Sequence, residues 1–250
     1  MIYLTKDDWN KFIFPKISDS NYFNIELKNI KKIYSLMSFI NSKIKFSNQI
    51  ILSTSMIFFH KYYLQKNLNL KNISSIDKLI LCGSCIFIST KATNNLISIN
   101  SLIKIIKEII NIKLSNITLN EDSIKNLLIQ SEYAILESIS FDLNIDLPYK
   151  FILQLKDYFK KKINISSELL IKSSCQFIND SFHFPFCLFY SPNTIAIACI
   201  KLMIEKYKLY DINLDEIILK SEYKIEKNDV DVCFYLMEKF YIKNNEKNVN

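Results

Sequence analysis

Leu79-Ile80-Leu81-Cys82-Gly83-Ser84-Cys85-Ile86-Phe87-Ile88-Ser89-Thr90-Lys91 is the stretch that decides the fold. It predicts a helix over about 75–91 that is apolar on nearly all sides. A helix of that kind belongs at the centre of a domain, with other helices packed around it. Gly83 stands in its middle and costs about 1 kcal/mol relative to Ala. The compensation expected is close approach of a neighbouring helix, which a missing Cβ permits. A second run of the same character, Thr194-Ile195-Ala196-Ile197-Ala198-Cys199-Ile200-Lys201-Leu202-Met203-Ile204, follows in the other half of the chain. The two runs form a weak internal repeat of about 115 to 120 residues, which suggests two similar bundles.

The segments around the first run supply its neighbours. Ile25, Leu27, Ile30, Ile33, Leu36, Met37, Ile40 and Ile44 recur at three- and four-residue steps, as on one helix face. Ser47 is the expected N-cap of a second helix through Ile50, Met56, Phe59 and Tyr63. A fourth helix is expected over about 98–112. A fifth starts near Asn120-Glu121-Asp122, whose acids suit a helix N-terminus, and runs to about Ser140. Asp146-Leu147-Pro148 then breaks the pattern, because the residue before a proline disfavours the helical region. Beyond it, 149–161 is amphipathic, and Ser166 or Ser167 caps a helix to about 182. Residues 181–190 read as an aromatic loop around Pro185. Ser191-Pro192 opens the second apolar helix, and helices near 214–219 and 228–240 follow.

Composition limits what such a fold can do. The chain has 250 residues, one Gly and four Pro, where average usage is roughly 7% and 5%. Phosphate loops, dinucleotide fingerprints and nucleophile elbows need several glycines at fixed offsets, which Gly83 alone cannot provide. Sandwiches and barrels need many tight turns and are disfavoured too. The net charge is +7, and all 32 basic residues are Lys. Arg is the residue of choice for bidentate reading of guanine or phosphate, so without it sequence-specific nucleic-acid binding is not expected. The basic excess reads as lysines on solvated faces.

Most of the six cysteines lie in apolar runs, where a free thiol behaves as a small hydrophobe. Cys82 and Cys85 form a CxxC, but no partner pair follows at zinc spacing, so no metal, cofactor or redox role is expected. His60 and His183 are far apart and read as packed side chains. No nucleophile with a base and an orienting group is found. The start MIYLTKDDWN does not read as a signal peptide, and the longest apolar run is too short to span a bilayer. An intracellular chain without membrane association is the expectation.

Three stretches carry a resemblance. Met56-Ile57-Phe58-Phe59-His60-Lys61-Tyr62-Tyr63 ends the second helix. Gly83 to Lys91 is a run of small and apolar residues closed by Lys. Glu132-Tyr133-Ala134-Ile135-Leu136-Glu137-Ser138-Ile139-Ser140-Phe141-Asp142-Leu143 ends the fifth helix. In this order and spacing they resemble the cyclins. Trp9, Leu147-Pro148-Tyr149-Lys150-Phe151, Asn179-Asp180-Ser181 and Pro192-Asn193-Thr194-Ile195-Ala196 point to the transcription-associated group, typified by cyclins K, T and L. The resemblance covers about 9–241.

It implies an all-α fold of two tandem five-helix cyclin boxes, each around a central apolar helix. The boxes would span 24–146 and 147–242, after an N-terminal segment over 1–23 and before a flexible tail over 243–250. It implies a nuclear regulatory subunit, without catalysis of its own, that forms a heterodimer with a cyclin-dependent kinase and activates it in RNA polymerase II transcription. A cell-cycle cyclin is an alternative. So is a general transcription factor of the IIB type, although the zinc ribbon and Arg-rich faces expected there are not seen. The kinase-gripping Lys and Glu of the family correspond to Lys91 and Glu132. Its apolar contacts correspond to Ile88, Leu136, Phe141 and Leu143. One departure is clear: where the family has an acidic pair after the box Lys, this chain has Ala92-Thr93-Asn94-Asn95.

Overall fold

A computed structural model describes residues 20–66, 68, 70–114, 118–162, 166–221 and 224–245, with backbone alone at 20–24, 26–27 and 240–245. Trp9, most of the segment 1–23 and the tail beyond 245 lie outside the described residues. Those described hold twelve helices and no strand. The chain divides between Ile145 and Asp146 into two compact units.

The first unit contains α1 (Ser20–Lys43), α2 (Gln49–Gln65), α3 (Ser75–Ala92), α4 (Ile99–Lys113) and α5 (Glu121–Ser138). The apolar run is α3, and it packs against all four other helices. Every residue from Leu79 to Thr90 is buried. The polar ones among them are satisfied, as burial demands. Ser84 Oγ donates to the Leu128 carbonyl of α5, while Ser89 and Thr90 donate to carbonyls one turn back on α3. Gly83 marks the tightest approach. A Cβ there would lie 3.0 Å from Ile106 Cδ1 of α4 and 3.4 Å from Leu128 Cδ2 of α5.

Side-chain caps fix the starts of these helices. Asn48, Ser74, Ser98 and Asn120 each accept an N–H from the residue three positions on. Such a cap is worth about 1 kcal/mol. The expected cap at Ser47 is displaced by one residue: Asn48 has the extended backbone a cap needs, and its Oδ1 takes the Ile51 N–H at 2.9 Å.

The second unit contains α6 (Tyr149–Gln154), α7 (Lys156–Lys162), α8 (Ser167–Ser181), α9 (Phe186–Phe189), α10 (Pro192–Tyr207), α11 (Leu214–Ile218) and α12 (Lys227–Asn245). The second apolar run is α10, buried from Pro192 to Ile200 and packed against α6, α8, α9, α11 and α12. The helix expected over 149–161 is broken at Leu155 into α6 and α7. Its buried stripe of Phe151, Ile152, Leu155 and Phe159 runs on through the break, which is why periodicity alone reads one helix. The aromatic loop before α10 folds inward and includes the single turn α9, with the Phe184 and Phe186 rings 4.7 Å apart. Tyr149 Oη donates to Asn179 Oδ1 at 2.6 Å, so two short motifs 30 residues apart in sequence meet. With α6 and α7 taken as one broken helix and α9 as part of its loop, the described residues of each unit form five helices, four of them around a central apolar one.

Three helices close in the same way without glycine. After α3, α5 and α10 a residue enters the left-handed region: Asn94 (φ 56°), Ser140 (φ 53°) and Lys208 (φ 55°). In each case the next residue's N–H reaches back five positions: Asn95 to Thr90, Phe141 to Leu136 and Leu209 to Ile204. This is the Schellman closure, which chains usually build with Gly because a Cβ is unfavourable there. The closure is preserved here at some cost in backbone strain.

Candidate functional site: an ion pair beside exposed aromatic rings

Lys91 stands in the last turn of α3, where the helix leaves the core and its side chain reaches solvent. A cation suits the carbonyl end of a helix. Glu132 stands on α5, which packs along α3. Lys91 Nζ donates to Glu132 Oε1 at 2.5 Å. The two side chains are 40% and 15% exposed, so the carboxylate is largely enclosed and the ammonium is not. Lys91 Nζ also sits 4.2 Å from the centroid of the Phe87 ring, one turn earlier on α3. Three groups from two helices thus hold one another at the rim of the first unit. An exposed pair of this kind contributes little stability, about 1 kcal/mol or less after solvent screening. Its stronger effect is positional: the largely enclosed carboxylate is held in place by the Lys91 ammonium.

The remaining residues fall into two groups. Leu136 and Leu143 are partly exposed. Phe141 is 57% exposed and lies in the left-handed region at φ 57°, directly after Ser140. Two consecutive left-handed residues other than glycine are costly, and strain of this sort concentrates where a side chain must be aimed. Ile88 differs from the expectation. It is fully buried inside the first unit, because α3 has neighbours on every side at that level. It offers no contact surface.

Tyr133 belongs with these residues, although the sequence alone does not single it out. It is 62% exposed, and its ring meets that of Phe141 edge-on at 6.3 Å. The signal available was its position next to Glu132. Ile135, two positions on, is buried while Tyr133 faces outward, and an aromatic residue can serve either face. The departure over 92–95 also acquires a role. Thr93 Oγ1 and the Thr93 N–H both donate to Ser89 O, and Asn95 donates its side chain to Thr93 O. These polar groups are used in closing α3.

Other candidates are inert. His60 is buried and packs edge-on to Phe59 at 5.5 Å. His183 Nδ1 lies 3.0 Å from the Asp180 carbonyl oxygen. All six cysteines are free, and five are buried. Burial pushes the thiols of Cys82, Cys85, Cys175, Cys199 and Cys233 up, away from the reactive thiolate. Among the described residues no cluster of three or more His, Cys, Asp or Glu could hold a metal, and no helix is long and apolar enough to cross a membrane.

No protein-family model matches the chain. Individual proteins do. Cyclin pch1 of Schizosaccharomyces pombe is 28% identical over 207 residues, covering 79% of this chain and 57% of pch1. Cyclin-C of Drosophila melanogaster is 28% identical over 170 residues, covering 67% of this chain and 60% of that protein. The chain therefore spans less than two thirds of the length of these curated relatives. Among solved structures, a chain of the yeast RNA Pol II CTD kinase CTDK-1 complex superposes with a TM-score of 0.71 at 19% identity, over 98% of this chain and 74% of that one. The chain carries the cyclin fold, and in sequence it resembles the transcription-associated cyclins.

Proposed function

We propose that the chain is the regulatory subunit of a cyclin-dependent serine/threonine kinase, without catalysis of its own, and that the pair acts in the nucleus on RNA polymerase II transcription. The two cyclin boxes are assigned to 24–146 and 147–242. The kinase is bound by Lys91, Glu132, Leu136, Phe141 and Leu143 of the first box, with Ile88 buried in its core.

The observation that carries this reading is the Lys91–Glu132 pair set beside exposed rings. Apolar area gives binding energy, and a fixed charge pair gives register, the division of labour found at specific interfaces. Activation then needs no chemistry from this chain. An active kinase requires a Lys–Glu ion pair of its own, set by the position of its C-helix. A subunit that binds only the inward helix shifts the population towards the active state.

The test is co-expression with each cyclin-dependent kinase of the same genome, followed by calorimetry on the one that co-purifies. Charge reversal, Lys91→Glu or Glu132→Lys, is expected to weaken binding by about 1 to 3 kcal/mol, or about 5- to 150-fold. Unchanged affinity in both variants would show that the pair is not part of the interface.

A further inference from the structure

We infer that Tyr133 and Phe141, with the carboxylate of Glu137 alongside, form a receptor for a basic side chain of the kinase, so that Tyr133 is a partner-selecting residue of the proposed interface. The inference rests on the kinase-binding reading above and extends it to two residues outside the assigned set, Tyr133 and Glu137.

The chain is rich in lysine, and ammonium groups sit over several of its outward-facing rings. Among the described residues Phe46, Tyr207 and Tyr235 are exposed, and each has an ammonium above it, from Lys45, Lys206 and Lys239. Partly exposed Phe39 has two, from Lys43 and Lys113. Tyr133 and Phe141 are more exposed than these, and among the described residues no ammonium lies over either ring; exposed Tyr210 is likewise uncovered, whereas Tyr133 and Phe141 meet each other and form a two-ring surface. Lys91, on the neighbouring rim, is committed to Phe87 and Glu132. The outer side of this ring pair is thus open to a cation.

The geometry around them suits a cation from outside. Tyr133 and Glu137 are four residues apart on α5 and share a face. Glu137 is an exposed carboxylate whose ion pair is a long one, 3.9 Å to Lys66 Nζ. An aromatic face with a carboxylate beside it attracts an ammonium or guanidinium through both the ring quadrupole and the charge. The Phe141 N–H bonds the Leu136 carbonyl at the closure of α5, and the Phe141 ring already lies edge-on to Tyr133 in the unbound chain. Preorganisation of that kind favours affinity, because less freedom is lost on binding.

The experiment uses the whole chain and the kinase recovered in the co-expression above. Tyr133→Ala is expected to weaken binding about tenfold, Tyr133→Phe less than about twofold, and Glu137→Gln about threefold with a flatter salt dependence. Thermal unfolding of all three should match the wild type, since the side chains are exposed. Each Arg and Lys on the kinase surface facing the first box is then changed to Ala, and double-mutant cycles with Tyr133→Ala are measured. One basic residue is expected to couple, with Tyr133→Ala costing little once it is gone. Wild-type binding with full affinity in Tyr133→Ala, or coupling to no basic residue, overturns this inference and leaves the kinase reading standing. Failure of the wild type to bind any kinase overturns both.

Discussion

Gly83 offers a test of the packing that holds the site. A Cβ at this position meets Ile106 Cδ1 at 3.0 Å, closer than van der Waals contact allows, and Leu128 Cδ2 at 3.4 Å. Ile106 is fully buried, so its tip has little room to retreat. Gly83→Ala gains about 1 kcal/mol of helix propensity and loses about 1 to 3 kcal/mol to overpacking. The expected net effect is a destabilisation of about 1 kcal/mol. Ile106→Val removes the clashing Cδ1 and by itself costs about 1 kcal/mol. With Cδ1 gone, the nearest remaining atoms stand at 3.4 and 3.7 Å, which is ordinary contact. The double variant should then keep the propensity gain and return close to wild-type stability. Urea unfolding followed by far-ultraviolet circular dichroism reads the cycle. A coupling of about 1 to 2 kcal/mol is expected. Additivity of the two single effects within about 0.5 kcal/mol would refute the idea that glycine is there to admit α4.

Two further outcomes follow from the same structure. Ser140→Gly and Lys208→Gly relieve left-handed strain and should each raise stability by about 0.5 to 1 kcal/mol in denaturant titrations, with Asn94→Gly gaining less because Asn tolerates that conformation. The buried thiols of Cys82, Cys85, Cys199 and Cys233 are held protonated above their unfolded value, so the unfolded chain releases protons first as pH rises. Stability is therefore fully present below about pH 9 and falls above it, which a series of urea midpoints at increasing pH would display.

Much of this arrangement was legible from residue order. The runs around Gly83 and Ile197 are apolar on all sides, and a helix with no polar face has only one stable place, the centre of a bundle. Gly83 itself announced a close neighbour, and Ile106 is that neighbour. The pairing of Lys91 with Glu132 was readable because a carboxylate on an apolar face needs a cation, and the central helix ends in one. What escaped were features set by three-dimensional exposure or by a single backbone torsion. Ile88 and Phe141 look alike as apolar residues of motif runs, but α3 is enclosed at Ile88 while the closure of α5 turns Phe141 outward. Tyr133 was hidden for the same reason. The break at Leu155 leaves no trace in periodicity, since the buried stripe is the same on both sides of it. At Ser47, two adjacent residues could each cap a helix, and only the extended backbone at Asn48 decides between them.

The central claim is that this chain switches on a kinase by presenting a surface. The most direct measurement is phosphorylation of an RNA polymerase II tail peptide by the co-purified kinase, alone, with the wild-type chain, and with Lys91→Glu. The wild type is expected to raise the rate by orders of magnitude, and Lys91→Glu to need a higher concentration to reach the same maximum. A kinase equally active with and without this chain would contradict it.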